Sequence, residues 1–245
     1  GKKVMIPGLF SNCKAVGWYI DEYNRAQISM NLTNYKVTPP YEVLEKVREL
    51  AAELGVVVTG SELVGLIPKE AIIACGKYYL GKQKACAGIP ERDIIESAIQ
   101  SMGLAELSEF DPKKKVIEYC IKQENRLVDL SLEQFNNELS TDSPAPGGGS
   151  VAALCNALSG SLSAMVANLT FSKKGYEKVW QEAAGIAEIG QKIKDESLVA
   201  IDKDTQAFYE MMDAMKLPKK TEEEIEKRNK LIQEATQKAI IVPLE

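Results

Sequence analysis

Residues Asp142 to Phe171 constrain this chain more than any other stretch. They read Asp-Ser-Pro-Ala-Pro-Gly-Gly-Gly-Ser and then run from Val151 to Phe171 without a charge. Proline and glycine at that density cannot be helix interior, so 142–149 is a loop. Ser150 is placed to cap a helix, and Val151, Leu154, Leu158, Leu162, Met165 and Leu169 recur at helical spacing. Three glycines therefore lead into a helix N-terminus. Free backbone N–H groups and the positive end of the helix dipole meet there, and no side chain blocks an approaching ligand. An anionic or carbonyl-bearing ligand suits that geometry. Glycines that only let two helices pack closely are the plainer alternative.

The uncharged run is long enough for a membrane span. Asn156, Asn168, Thr170 and several serines make it only mildly hydrophobic, so a buried helix is expected instead, with Ala153, Ala157, Ser161 and Ala164 as a small-residue contact face. Gly1-Lys-Lys-Val-Met is followed by proline and glycine, not by the apolar core of a leader peptide. The net charge of −5 argues against a general nucleic-acid surface. Five cysteines without a CxxC pair suit a reducing, cytoplasmic setting better than a disulfide framework. There is no histidine. Ser-His and Cys-His couples are thereby removed, and no metal site is expected. Proton transfer falls to Asp, Glu, Lys, Tyr, Cys or a group on the substrate.

Along the chain, residues 15–20 and 26–31 form a hairpin around a polar turn, with Ala26, Ile28 and Met30 alternating as a buried face. Thr38-Pro39-Pro40 opens a helix carrying Val43, Leu44, Val47, Leu50 and Leu54, and Gly55 ends it. Val56 to Thr59 reads as a short buried strand. Helices follow Pro68 and Pro90. Lys113 to Lys115 is a charge run, most simply a solvated helix start, with phosphate or polyglutamate binding as the alternative. Residues 122–129 read as a linker, and beyond them strand signals cease. Helices are expected at 132–139, at 177–215 with a break near Gly185 or Gly190, and after the Thr221 cap up to Ile241. The fold class is α+β: a partial α/β, ferredoxin-like part over 1–124, then an all-α part over 125–245. The apolar ending at Ala239 to Leu244 and the small size of the first strand pair suggest a chain cut at both ends.

Several motifs resemble known families. Pro144-Ala-Pro-Gly-Gly-Gly-Ser-Val-Ala-Ala153, with Asp202-Lys-Asp-Thr-Gln-Ala-Phe208 and Lys216-Leu-Pro-Lys219, resembles the cyclodeaminase and methenyl-tetrahydrofolate cyclohydrolase family. Val16-Gly-Trp-Tyr-Ile-Asp-Glu22, Gln27-Ile-Ser-Met-Asn-Leu-Thr33 and Thr59-Gly-Ser-Glu-Leu-Val-Gly-Leu66 resemble the second subdomain of glutamate formiminotransferase. Both in this order match the fused formiminotransferase-cyclodeaminase family of histidine degradation.

The resemblance implies two reactions. A formimino group moves from formiminoglutamate to N5 of tetrahydrofolate, and 5-formimino-tetrahydrofolate then closes to 5,10-methenyl-tetrahydrofolate with loss of ammonia. It also implies folate, often polyglutamylated, as carrier, and a homo-oligomer of dimers or rings of dimers. The transferase subdomain that carries the family's catalytic histidine is absent here, so no transferase activity is expected from this chain alone. The cyclodeaminase part also lacks its last helices by this comparison. Methenyl-tetrahydrofolate cyclohydrolase and a non-catalytic folate-binding or assembly module are the alternative functions.

For cyclodeamination, Asp202 and Asp204 are the candidate acid–base groups. Two residues apart on a helix, they cannot both face one ligand. Asp204 shares the mostly apolar side with Ile201 and Phe208, where a partly desolvated carboxyl suits a general acid. A surface carboxylate paired with Lys203 is the plainer alternative. Pro146, Gly147, Gly148, Gly149 and Ser150 are the expected folate-binding loop. Lys174 and Lys219 are expected to hold the glutamate tail, unless they are merely solvated. Glu62 is expected to line the transferase cleft, with a helix-capping role for Ser61 as its rival.

Overall fold

The computed structural model describes residues 8–121 and 126–244. The chain divides into two compact units, Gly1–Lys122 and Gln123–Glu245. The expected boundary between residues 124 and 125 lies outside the described residues, as does the start on which the leader-peptide reading rests.

In the first unit, β1 (Cys13–Ile20) and β2 (Arg25–Leu32) pair antiparallel, with Cys13 opposite Leu32 and Ile20 opposite Arg25. Asn24 closes the turn with φ 51. This register puts Ile28 and Tyr19 on one face, and Ile28 is 50% exposed, not buried as the alternation suggests. Alternation marks which residues share a face, but a second layer must cover that face before it becomes core. The expected strand at 56–59 is absent among the described residues, where the sheet has two strands. Those residues form an open loop, with Val57 85% exposed. The loop is tied elsewhere: Ser61 N–H donates to the Gly103 carbonyl at 3.1 Å, and Arg25 Nη1 donates to Thr59 Oγ1 at 3.2 Å.

Helix α1 (Pro40–Glu53) opens at the prolines, buries Val43 and Leu44, and is followed by Gly55 at φ 74. Helices α2 (Lys69–Lys82) and α3 (Glu91–Met102) pack around Ile72, Cys75, Ile95 and Ala98. Val116, between α4 (Pro112–Lys115) and α5 (Ile117–Cys120), completes this core. A fully buried isoleucine contributes about 1.5–3 kcal/mol, so these few side chains supply much of the unit's cohesion. Burial pushes the Cys75 thiol up to about 11, which leaves it unreactive. Asp111 caps α4 through Lys113 N–H at 2.9 Å, while Lys115 Nζ donates to the Leu63 carbonyl at 3.1 Å. The lysine run thus begins a short helix, and its last member ties that helix to the preceding loop.

A polar network ties α1 to α2 and α3. Glu45 accepts from Arg48 at 2.7 Å, from the Tyr79 hydroxyl at 3.1 Å, and from Lys82. Arg48 also donates to the Ser101 carbonyl at 2.8 Å. Burial pushes the Glu45 carboxyl upward, but the bonds from Lys82, Arg48 and Tyr79 together outweigh it and hold the group below its ordinary 4.5. A carboxyl lowered by folding contributes stability that is present above its unfolded value and lost as pH falls through the folded one. We expect Glu45→Gln to lower this unit's stability by about 1–2 kcal/mol at neutral pH, the network being half-exposed. The difference from the parent chain is expected to shrink as pH falls from 4.5 through the lowered folded value and to vanish in strong acid. Urea melts at both pH values, read by amide exchange in α2, check this; a constant difference would mean that the carboxylate charge plays no part.

Among the described residues of the second unit, every regular element is a helix. Helix α6 (Leu132–Leu139) and helix α9 (Glu222–Ile241) each start with a reciprocal capping box, Ser131 with Gln134 and Thr221 with Glu224. Between them lie α7 (Gly148–Thr170) and the 37-residue α8 (Trp180–Lys216). The partners Ser150 with Ile201, Asn156 with Ser197 and Gly160 with Gly190 show that α7 and α8 run antiparallel. The expected break near Gly185 or Gly190 does not occur. Gly190 instead lets the two backbones touch: a Cβ there would lie 2.7 Å from the Gly160 carbonyl oxygen.

Two further expectations are corrected. Ser150 does not cap α7; Gly147 is the N-cap, and Ser150 sits inside the first turn, fully buried. Nor is α7 buried all round. Its small face (Ser150, Ala157, Gly160, Ala164, Ala167) packs on α8, while Leu158, Leu162, Met165 and Leu169 are exposed. Small residues win the contact because only they allow the close backbone approach. By length and composition α7 also qualifies as a membrane span, with mean hydropathy 1.5.

Candidate functional site

The candidate site is the head of α7 where α8 passes it. Among the described residues no side chain caps α7, so its first N–H groups face outward from the glycine loop. The Ala145–Pro146 peptide is cis, and both residues are buried. A Cβ on Gly147 or Gly148 would meet nothing within 4 Å, so the loop is open there. Gly149 is different. A Cβ there would lie 2.1 Å from Asp204 Oδ1 and 2.4 Å from its Cγ. The third glycine is thus the seat of the Asp204 carboxylate.

Asp204 is half-buried, and its Oδ2 lies 3.0 Å from Ser150 Oγ. The same hydroxyl lies 3.2 Å from the Ile201 carbonyl and 3.2 Å from Thr205 Oγ1. The surface pairing with Lys203 is therefore not what holds Asp204. Asp202 points elsewhere, as their spacing requires: its Oδ1 accepts from Leu127 N–H at 2.6 Å, anchoring the 3-10 turn at Leu127–Asp129. Arg126 and Asp129 bracket that turn with a two-pronged ion pair at 2.6 and 2.8 Å. Asp202 therefore has an architectural role, and Asp204 alone of the two faces the glycine loop.

The other expected residues are dispersed. Pro146 and Ser150 are buried, so they shape the loop without lining it. Lys174 is exposed in the turn after α7, at the opposite end of a 23-residue helix, about 34 Å from the loop. Lys219 is exposed beyond the end of α8, and the 204–216 stretch alone rises about 18 Å. Glu62, in the first unit, is exposed on the irregular loop that replaces the expected strand. Ser61 is no helix N-cap; its hydroxyl donates to the Met102 carbonyl at 2.8 Å, at the end of α3. Thr205 is a site neighbour that sequence reasoning misses; its only signal is a hydroxyl beside Asp204. Among the described residues no three His, Cys, Asp or Glu side chains converge as a metal site would require. Farther along α7, Leu162, Val166, Thr170, Val179 and Ile186 line an apolar groove of about 520 Å³.

Comparison with known proteins gives the same division. A family described as "Formiminotransferase domain" matches residues 1–122, and one described as "Formiminotransferase-cyclodeaminase" matches 131–245. The formimidoyltransferase-cyclodeaminase of Mus musculus is 36% identical over 242 residues, which is 98% of this chain and 44% of that protein. The chain thus spans less than half the length of this curated relative. The methenyltetrahydrofolate cyclohydrolase of Methylorubrum extorquens is 38% identical over 114 residues, 46% of this chain and 55% of that protein. A solved structure of formiminotetrahydrofolate cyclodeaminase from Thermotoga maritima is 34% identical, covers 49% of this chain and 55% of its own, and superposes with a TM-score of 0.42. With transferase sequence leading into cyclodeaminase sequence across almost all of its length, the chain belongs to the formiminotransferase-cyclodeaminase family.

Proposed function

We propose that the second unit closes 5-formimino-tetrahydrofolate to 5,10-methenyl-tetrahydrofolate and releases ammonia, with Asp204 as the proton carrier. The observation that carries this reading is the Asp204 carboxylate, half-buried and seated against Gly149 beside an uncapped helix start. The chemistry needs a single proton shuttle. N10 attacks the formimino carbon, N10 gives up its proton, and the departing amine takes one. A carboxylate beside the reacting carbon also stabilises the amidinium-like charge. The N–H groups at Gly148 and Gly149 suit a ring carbonyl. The lysines belong to a later part of the ligand: Lys219 is within reach only of an extended polyglutamate tail.

In this proposal residues 1–124 are a transferase subdomain and 125–245 the cyclodeaminase. In a longer enzyme of folate-dependent histidine degradation, formiminoglutamate would be the substrate of the transferase. We place the protein in the cytoplasm, where its cysteines stay reduced. The exposed leucines of α7 favour a homo-oligomer, in which a second copy covers them. A second reading, methenyl-tetrahydrofolate cyclohydrolase, is favoured by the likeness to the Methylorubrum extorquens protein over 114 residues.

The test is to supply the purified chain with 5-formimino-tetrahydrofolate and follow methenyl and ammonia together. Hydrolysis of 5,10-methenyl-tetrahydrofolate is assayed in parallel. Equal yields of both products, reduced about 10³-fold by Asp204→Asn, are expected. Hydrolysis without ammonia release points to the cyclohydrolase. Folate binding with neither reaction sinks both.

A further inference from the structure

We propose that the buried Ser150 hydroxyl is a two-way rotor that serves Asp204 in both protonation states and so positions it to shuttle a proton. This rests on the role given to Asp204 above. Ser150 Oγ has three polar neighbours: Asp204 Oδ2 at 3.0 Å, the Ile201 carbonyl at 3.2 Å and Thr205 Oγ1 at 3.2 Å. A hydroxyl has one hydrogen to donate and two lone pairs. The Ile201 carbonyl can only accept, and so can Asp204 as a carboxylate. Ser150 therefore cannot satisfy both at once.

Each state of Asp204 selects one arrangement. Facing the carboxylate, Ser150 donates to Oδ2 and accepts from Thr205. Facing the carboxylic acid, Ser150 accepts from the acid O–H and turns its own hydrogen to the Ile201 carbonyl. Only rotation about Cβ–Oγ separates the two, and no heavy atom moves. A buried polar atom left unpaired costs about 1–3 kcal/mol, and neither state incurs that cost.

Among the described residues, the charges on the neighbouring stretches are exposed or engaged elsewhere. Residues 143–171 carry none, and their one titratable group, Cys155, is exposed. On α8, Asp202 is engaged by Leu127, and Lys203 is exposed. Arg126 pairs with Asp129, and Lys238 of α9 pairs with Glu210. The following turn, Val242–Leu244, has no titratable side chain.

Cyclodeamination requires both states in each turnover. With the formimino group entering protonated, as an amidinium, the N10–carbon bond forms while the C=N electron pair moves onto the terminal nitrogen; the N10 proton passes to the Asp204 carboxylate, and Ser150 turns to Ile201. Asp204 then gives that proton to the amino group. The carbon–nitrogen bond breaks with its electron pair going to nitrogen, ammonia leaves, and the methenyl cation remains. One proton is taken and one returned, and Ser150 swings back.

The test compares Ser150→Ala, Ser150→Cys, Thr205→Val and Asp204→Asn in the whole chain, with 5-formimino-tetrahydrofolate as substrate. Ser150→Ala is expected to lower kcat about 10- to 100-fold with KM changed less than about twofold. It is also expected to move the acid limb of the kcat/KM profile to higher pH, because the carboxylate has lost its donor. Ser150→Cys, which keeps a weak donor, is expected to fall between, and Thr205→Val to lower kcat only a few-fold. If the alanine variant does not fold, an intermediate kcat at unchanged KM in Ser150→Cys supports the rotor. Parental kcat and pH profile in Ser150→Ala, or in Ser150→Cys where alanine does not fold, overturn it; if Asp204→Asn is inactive, the role of Asp204 still stands. Full activity in Asp204→Asn overturns both.

Discussion

Gly190→Ala is expected to destabilise the helical unit by about 3 kcal/mol, and Gly190→Val to prevent its folding. The added Cβ would lie 2.7 Å from the Gly160 carbonyl oxygen and 2.8 Å from Ala164 N. Both are backbone atoms, so no flexible side chain can yield. The helices must separate instead, and separation strips contact from Ala157, Ala164, Ala167, Ala183 and Ala187 together. Gly160→Ala meets the same carbonyl-lined crossing from the other side, at 2.8 Å from the Gly190 carbonyl oxygen. The double variant should therefore cost less than the sum of the two, since the first separation makes room for the second methyl. Gly185→Ala is the control: nothing lies within 4 Å of its added Cβ, so it should stabilise by about 0.5–1 kcal/mol through helix propensity. The chain has two tryptophans, and Trp180 lies in α8. In a Trp18→Phe background its fluorescence reports thermal unfolding of this unit alone. A loss of about 3 kcal/mol corresponds to roughly 10–20 °C in Tm. An unchanged Tm would mean that α7 and α8 part at this crossing without cost.

The second large effect is on turnover. Gly149→Ala is expected to reduce methenyl formation about 10²- to 10³-fold while Tm falls only a few degrees. Its methyl would occupy the space of the Asp204 carboxylate, 2.1 Å from Oδ1. Unlike the crossing at Gly190, the obstacle here is the end of a side chain, so the fold can adapt by turning Asp204 out of its seat. Structure is then largely kept and the proposed proton carrier misplaced. Gly148→Ala, with nothing within 4 Å of the added Cβ, leaves Asp204 in place. Turnover that survives Gly149→Ala would mean that the seat of Asp204 is unrelated to the chemistry.

These two glycines show where sequence reading works and where it stops. The Pro-Gly loop and the uncharged run announce a helix start and a long helix, and α7 is both. The capping box at Thr221 and the prolines before α1, α2 and α3 fix helix starts locally, because they act on backbone within a turn of themselves. The separation of Asp202 from Asp204 onto different faces is equally legible, being a matter of helical angle. The strand expected at 56–59 is not, because β-branched residues make a strand only where a neighbouring edge supplies hydrogen bonds. Gly190 resembles a helix breaker because propensity counts its backbone freedom and cannot see the helix lying against it. Ser150 resembles a cap because the type of residue is right; the fold sets the N-cap three residues earlier and buries the hydroxyl.

The sequence by itself determined the starts of α1, α2, α3 and α9, the succession of a strand-bearing part and an all-α part, and the residue types available for proton transfer, since these depend on local geometry and composition. Only the tertiary structure decided that Gly149 seats Asp204, that Ser150 serves that carboxylate, and that small side chains, not leucines, face α8. Those outcomes depend on how closely two backbones far apart in sequence approach each other, and no spacing along one helix encodes that distance.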